Sequence, residues 1–391
     1  MFQFLPRTVI ILGLVSFLND TASEMITPLL PIFLTASLGA GPAVVGLVEG
    51  VAEATASLLK LVSGRLADRG WNAKRLVLGG YGLSNSARPL IGLAFGWVWV
   101  LLLRFLDRVG KGLRTSPRDA LISASTSSGI RGRAFGFHRA MDHTGAVVGP
   151  LLAFGMLSLG IELEKVFLLS VIPGLLVMLL IGYGLPDRLT VVTTTEPPAK
   201  LSWLGLDSQL RALIIAAGGL ALATTPEVFL VLWAQSHGLK LVWVPLLWSA
   251  ASAIKMLVAI PGGYLSDHLG RLPVLLIGWG ARFVLLVALA FSPDNIGLIW
   301  LLFLAYAGSL ALTEGAERAL VGDFAPAGQK ATAYGLYHMV SGLLLLPGAI
   351  LFGTLWEWLG EAIAFLTAAG LTVISIALLL LVVSRHSPKV H

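Results

Sequence analysis

Apolar runs of about the 20 residues that a helix needs to cross a hydrocarbon core recur from residue 7 to residue 384, with only short breaks between them. They leave no room for a sizeable water-soluble domain. Twelve spans are expected, at 7–38, 42–66, 75–94, 97–126, 131–158, 166–184, 209–237, 242–266, 273–292, 296–323, 329–356 and 360–384. A stretch such as "VFLLSVIPGLLVMLLIGYGL" at 166–185 lacks the alternation of a lipid-facing strand, so the spans are helices. Composition agrees: 12% of residues are charged, about half the share of a soluble domain.

Orientation follows from where the bases lie. Breaks holding Arg65, Arg69, Lys74 and Arg75, then Arg131 and Arg133, Arg188 and Lys200, Arg271, Lys330, and Arg385 with Lys389 alternate with breaks holding little beyond Lys165 and Lys240. Basic loops stay cytoplasmic, which predicts a multi-pass protein of the cytoplasmic (inner) membrane with both termini inside. The same bias accounts for the net charge of +6; no basic arm or aromatic-basic face points to nucleic acid. The first run follows "MFQFLPR", outlasts a signal-peptide core and has no A-x-A-like cleavage site, so it reads as a retained span. With no cysteine, disulfides, thiolate ligands and a cysteine nucleophile are excluded.

The chain repeats itself. "GRLADRG" at 64–70 parallels "GYLSDHL" at 263–269, "PRDALI" at 117–122 parallels "AERALV" at 316–321, and "RAFGFH" at 133–138 parallels "TAYGLY" at 332–337, all at an offset of 199. This predicts an all-α membrane protein of twelve transmembrane helices in two six-helix pseudo-repeats. The N-terminal bundle is 1–185, a cytoplasmic linker rich in Pro, Thr and charge is 186–208, and the C-terminal bundle is 209–391. Paired membrane repeats with a seam between them suit an alternating-access carrier.

An ionisable group at membrane depth costs about 2.5–3.5 kcal/mol on insertion scales and so needs a partner or a watery cavity. Apart from Arg75 and Glu361 at their very ends, the third span carries only Arg88, the ninth only Arg282, the sixth and twelfth none, which predicts lipid-facing helices. By contrast Asp20 and Glu24 lie in the first span, Glu49, Glu53 and Lys60 in the second, His138, Arg139, Asp142 and His143 in the fifth, Glu227 in the seventh, and Glu314, Glu317 and Arg318 in the tenth. These are expected to line an interior.

The fourth span is the most charged, with "LDRVGKGLRTSPRD" at 106–119. At about 100° per residue, Arg104, Asp107, Arg108, Lys111, Arg114 and Arg118 fall within about 140° of arc, opposite Leu102, Leu106, Val109 and Leu113. The charged side is expected to face a polar cavity and the other side packed apolar neighbours. The alternative is a structural ladder in which Asp107 and Asp119 neutralise adjacent bases, although the bases outnumber the acids. Asp20 and Glu24, at i, i+4 on one face, can pair with Arg108 or Lys111, or carry protons, because burial and a nearby base pull a carboxyl's proton affinity in opposite directions. His138 and Asp142 have metal-ligand spacing but no further ligands nearby in sequence; Arg139 with Asp142 reads better as an intrahelical pair.

These residues resemble the major facilitator superfamily. "GYLSDHLGR" at 263–271 matches its loop signature through Gly263, Asp267 and Arg271, and the first-half copy keeps Gly64, Asp68 and Arg69, with Arg75 arriving later than the usual Gly-Arg. The resemblance implies cytoplasmic gating by these residues. "RVGKG" at 108–112 is similar to the fourth-helix signature R-x-x-Q-G, with Lys111 in the glutamine place, and implies a role for Arg108 in proton coupling. "GAVVGP" at 145–150 resembles the fifth-helix signature of drug–proton antiporters; Gly145 and Gly149 allow close helix approach and Pro150 bends the helix.

The expectation is a secondary active transporter, a proton-coupled exporter of a small organic or amphipathic molecule, anionic or zwitterionic in part. Asp20, Glu24, Arg108 and Asp142 would serve proton coupling, and Arg104, Lys111, Arg139, Glu227, Glu314, Glu317 and Arg318 the substrate cavity. The proton gradient is the energy source; no cofactor and no metal is implied, and a monomer suffices. A lipid or lysolipid flippase, an uncoupled facilitator and a non-transporting membrane sensor are the rival readings. No H-E-x-x-H, G-x-S-x-G or P-loop pattern supports an enzyme.

Overall fold

The computed structural model describes residues 5–68, 71–126, 131–185, 208–324 and 330–384. Helices account for nearly all of them, and no strand occurs among the described residues. In chain order these are α1 (Arg7–Glu24), α2 (Pro42–Asp68), α3 (Ala73–Leu90), α4 (Trp97–Ala124), α5 (Arg131–Ser158), α6 (Leu163–Leu169), α7 (Val171–Gly184), α8 (Ser208–Ala223), α9 (Glu227–Ser236), α10 (Val244–Leu269), α11 (Arg271–Ala290), α12 (Ile296–Phe324), α13 (Lys330–Leu359) and α14 (Glu361–Ser384). The linker expected at 186–208 lies outside the described residues, apart from Ser208 at the start of α8.

Ten stretches among the described residues are long and apolar enough to cross a membrane. The other two long helices are α3 and α4, of 18 and 28 residues. At 1.5 Å per residue, 18 residues reach about 27 Å, so α3 fails on polarity rather than length. α6 and α7 together make one span, interrupted only at Ser170.

The first and seventh spans break internally at matching places. After Glu24 the first continues through Met25 and Ile26 into short turns at Thr27–Leu29 and Leu30–Ile32 and a wide turn at Phe33–Ser37. The seventh breaks at Thr224, Thr225 and Pro226 between α8 and α9. The offset of 199 carries 25–27 onto 224–226, so the repeat extends to its irregularities.

The chain forms two compact units. Unit 1 holds 1–40, 55–196 and 240–252; unit 2 holds 41–54, 197–239 and 253–391. The early part of α2 therefore belongs with the second unit and the early part of α10 with the first, and the repeat offset maps 41–53 onto 240–252. Inside unit 2 the insertion is tight: a Cβ at Gly46 would lie 2.2 Å from the Ala349 carbonyl oxygen on α13, and one at Gly353 would lie 2.4 Å from the Pro42 carbonyl oxygen. Inside unit 1 the Ser249 hydroxyl donates to the Val147 carbonyl at 3.1 Å, and Trp243 packs on Phe154 with ring centroids 5.6 Å apart.

Each unit has its own apolar core. Val9, Leu12 and Val15 of α1 meet Val77 and Tyr81 of α3, Leu121 and Ile122 of α4, and Val177 and Ile181 of α7. Leu213, Ile214 and Leu220 of α8 meet Leu275 and Trp279 of α11, Val321 of α12 and Leu379 of α14. Large apolar side chains that remain exposed lie along the same spans, as on α7 (Ile172, Leu175, Leu179) and α14 (Val373, Ile374, Leu381). A membrane solvates such faces. The "RVGKG" glycines are contact points: a Cβ at Gly110 would sit 2.4 Å from the Gly80 carbonyl oxygen of α3, and one at Gly112 2.4 Å from Leu59 Cβ of α2. Between α10 and α11 a single residue turns the chain, Gly270, at φ +92°. That backbone region is open to glycine and strained for other residues.

Candidate functional site in the first unit

The charged side of α4 points into the unit and its apolar side points out. Arg104 is 1% exposed, Asp107 0%, Arg108 8% and Arg114 4%, whereas Leu102, Phe105 and Leu106 are more than a third exposed. The packed apolar neighbours expected on that side are missing at Leu102 and Leu106, which stay exposed among the described residues. In a membrane an outward leucine meets its preferred solvent, while an outward guanidinium meets the worst one.

Asp107 is the hub of this face. Arg88 Nε donates to its Oδ1 at 2.9 Å, Arg104 Nη1 to Oδ2 at 3.4 Å, and Arg108 Nε stands 3.8 Å from Oδ2. Arg88 rises from α3, whose apolar outer surface is exposed at Leu90, but its own side chain is 2% exposed and turned inward. The third helix thus supplies the main partner of the fourth. Asp107 thus answers three bases, and Arg104, expected on a cavity wall, is enclosed in that cluster. At the other end Arg118 donates through Nε and Nη2 to Asp119 Oδ1 at 3.0 and 2.9 Å. Between them Arg114 gives Nη1 to the Ser84 hydroxyl at 2.6 Å and lies 4.5 Å above the Tyr81 ring, a cation–π contact.

The network continues into α1. Arg88 Nη1 donates to Asn19 Oδ1 at 3.0 Å, and Asn19 Nδ2 donates to Asp20 Oδ1 at 3.0 Å. Asp20 lies within electrostatic reach of Lys111 and Arg114 on α4 and of Asp142 on α5. Asp142 accepts from the Ser16 hydroxyl, lies 3.5 Å from His138 Nδ1, and is 4.0 Å from Arg139 Nη1, whose side chain is largely exposed. Among the described residues no group of three or more His, Asp or Glu is placed to hold a metal ion. Glu24, one turn beyond Asp20, accepts from Trp248 Nε1 at 2.9 Å.

The "GAVVGP" motif fixes the distance between these carboxylates. A Cβ at Gly145 would lie 2.5 Å from the Phe17 carbonyl oxygen and 3.0 Å from Asp20 Cβ; one at Gly149 would lie 2.5 Å from the Thr21 carbonyl oxygen. Backbone therefore meets backbone between α1 and α5, with Pro150 one residue further on.

Other expected residues fall elsewhere. Gly64 sits 3.5 Å from Ser116 by its would-be Cβ, Arg75 is exposed, Gly263 has open space beside it, and Arg271 donates to the Ser266 hydroxyl at 3.2 Å. All of Arg69 and the side chains of Asp68, Asp267 and Arg318 lie outside the described residues. In unit 2 Glu314 is exposed, Glu317 accepts from Trp279 Nε1 at 3.0 Å and from the Tyr337 hydroxyl at 2.8 Å, and Glu227 accepts from Lys255 Nζ at 2.8 Å. Sequence reasoning missed Ser16, Asn19 and Lys255, and it left Arg88 out of the interior. Lys255 had a signal, a lone base amid the apolar run of α10; Ser16 and Asn19 had none.

The profile of the Major Facilitator Superfamily matches residues 12–343 and 246–391. The chain belongs to that superfamily. It is 32% identical over 385 residues to the uncharacterized MFS-type transporter MJ1317 of Methanocaldococcus jannaschii, covering 97% of this chain and 95% of that one. Over a shorter stretch of 151 residues it is 29% identical to the multidrug resistance protein MdtH of Aeromonas hydrophila, covering 39% of this chain and 38% of that protein. Among solved structures, a bacterial homologue of the human lysosomal transporter Spinster in an inward-facing, unoccupied conformation superposes with a TM-score of 0.78 at 18% identity, over 98% of each chain. That likeness shows the fold. Superfamily members are transporters, so this is a multi-pass membrane transporter and not an enzyme.

Proposed function

We propose that this superfamily transporter exports a small organic or amphipathic molecule with an anionic or zwitterionic group, in exchange for protons, by alternating access. It would act in the cytoplasmic membrane as a monomer with both termini in the cytoplasm, powered by the proton gradient without a cofactor. One observation carries the reading: Asp20, on a membrane-spanning helix, stands within electrostatic reach of one acid, Asp142, and two bases, Lys111 and Arg114. A carboxyl so placed changes its proton affinity when either base turns to a bound anion. Asn19 ties Asp20 to the Arg88–Asp107 cluster, so the proton carrier rests on a rigid base. The partial likeness to multidrug resistance proteins supports export. Arg108 biases this centre, and Glu24 serves as a second acid one turn on.

The test is internal pH in proteoliposomes under an imposed proton gradient, challenged with anionic, zwitterionic and cationic amphiphiles. Wild type should show proton flux triggered by a compound that leaves Asp20→Asn silent, while Asp20→Asn still exchanges that compound down its own gradient. Full proton-coupled transport by Asp20→Asn would overturn the assignment.

A further inference from the structure

The second unit carries a charged centre of its own at the helix break. Lys255 Nζ donates to both carboxylate oxygens of Glu227, at 3.1 and 2.8 Å, and the side chains keep 31% and 20% of their surface exposed. Glu227 is the first residue of α9, directly after the interruption at 224–226. Around that interruption polar groups converge. Arg282 Nη1 donates to the Thr224 hydroxyl at 3.3 Å, and the Tyr306 hydroxyl donates to the Thr225 carbonyl at 3.1 Å. The Tyr306 hydroxyl lies within electrostatic reach of both Arg282 and Glu227.

Two features are left over. Thr225 is 1% exposed and Arg282 3%, yet Oγ1 of the first and Nε of the second find no hydrogen-bond partner among the described residues. A buried unmatched donor costs about 1–3 kcal/mol, so it is retained where something else supplies the acceptor. The positive end of the α9 dipole also lies at this break, beside Glu227. A broken transmembrane helix with its half-helix N-terminus and bare donors is the arrangement that membrane carriers use for anionic groups.

We propose that this centre is an organic carboxylate site whose Lys255 is occupied by Glu227 in the unliganded protein. An incoming carboxylate displaces Glu227 from the ammonium and takes hydrogen bonds from Thr225 Oγ1 and Arg282 Nε. Glu227 is then an internal competitor, and its removal opens the site. The inference rests on the transporter reading but not on proton coupling at Asp20, which lies in the other unit.

The probe is benzoate, compared with benzamide and benzylamine, bound to purified protein in detergent and followed by thermal stabilisation against concentration. Glu227→Gln should bind benzoate about tenfold or more tightly than wild type, the gain expected when a charged competitor is lost. Lys255→Met should lose benzoate binding. Because Lys255→Met leaves Glu227 without its ammonium partner, the double variant Glu227→Gln/Lys255→Met, which removes both members of the pair, is measured beside it and should also fail to bind. No gain in Glu227→Gln, equal binding of benzamide, or retained binding in the double variant would each overturn the proposal.

Discussion

Arg88 Nε and Asp107 Oδ1 stand 2.9 Å apart with side chains 2% and 0% exposed, joining the third and fourth spans by a fully enclosed ion pair. Asp107 also answers Arg104 and Arg108, so the two partners are not equivalent. Breaking a buried pair by removing one partner costs about 3–5 kcal/mol, because the other charge is stranded. Asp107→Asn, which takes the carboxylate from three guanidinium groups, should destabilise more than Arg88→Gln, which takes one of three guanidinium groups from Asp107. Thermal melting of the purified protein in detergent gives the order. In the double variant the loss should be less than the sum of the singles; simple additivity would show that the pair is not coupled.

The close approach of α5 to α1 makes a second expectation. Gly145→Ala places a methyl 2.5 Å from the Phe17 carbonyl oxygen, while Gly155→Ala on the same helix meets nothing within 4 Å. Overpacking of this kind costs about 1–3 kcal/mol, and here it also pushes Asp20 away from Asp142. Gly145→Ala should therefore lose proton-coupled transport at near-normal membrane abundance or fail to accumulate at all. Gly155→Ala should be neutral or slightly more stable, as alanine is the better helix former by about 0.8–1.0 kcal/mol. Equal behaviour of the two in proteoliposome transport would remove the argument.

Gly270 joins α10 to α11 at φ +92°. A side chain there is strained by about 1–3 kcal/mol whatever the space around it. Gly270→Ala should lower the melting temperature, whereas Gly280→Ala, inside α11 with open space beside it, should not. The comparison separates backbone conformation from loss of a glycine as such.

Glu317 accepts two hydrogen bonds, from Trp279 Nε1 at 3.0 Å and from the Tyr337 hydroxyl at 2.8 Å, linking α12 to α11 and α13. Bonds to a charged group contribute about 1.5–3 kcal/mol each. Glu317→Gln, which keeps one acceptor oxygen, should retain part of this and Glu317→Ala none, with Trp279 fluorescence reporting the change in the indole's surroundings. If Glu317→Gln and Glu317→Ala melted alike, the bonds would be shown to contribute little.

The spans and the repeat were legible in the sequence because they are written locally. Apolar run length sets where a helix can cross a membrane, and the shared offset exposed the duplication without reference to any contact. The seventh span shows the limit: its length was read correctly, but the interruption at 224–226 was not, since Thr-Thr-Pro is a mild local signal inside an apolar run.

Partnership was decided by the tertiary structure. Arg88 marked the third helix as nearly uncharged and lipid-facing, which its outer surface is, yet its side chain turns inward to meet Asp107, 19 residues away. Ser16 and Asp142 are 126 residues apart and Lys255 and Glu227 are 28 apart, on different helices. The sequence determined which segments cross the membrane and that charges there need answering; helix rotation and crossing, set by glycine contacts such as Gly80 with Gly110 and Gly145 with Phe17, decided which charge answers which. The physical reason is range: hydrophobic partition is a sum over one segment, whereas an ion pair depends on distance across several.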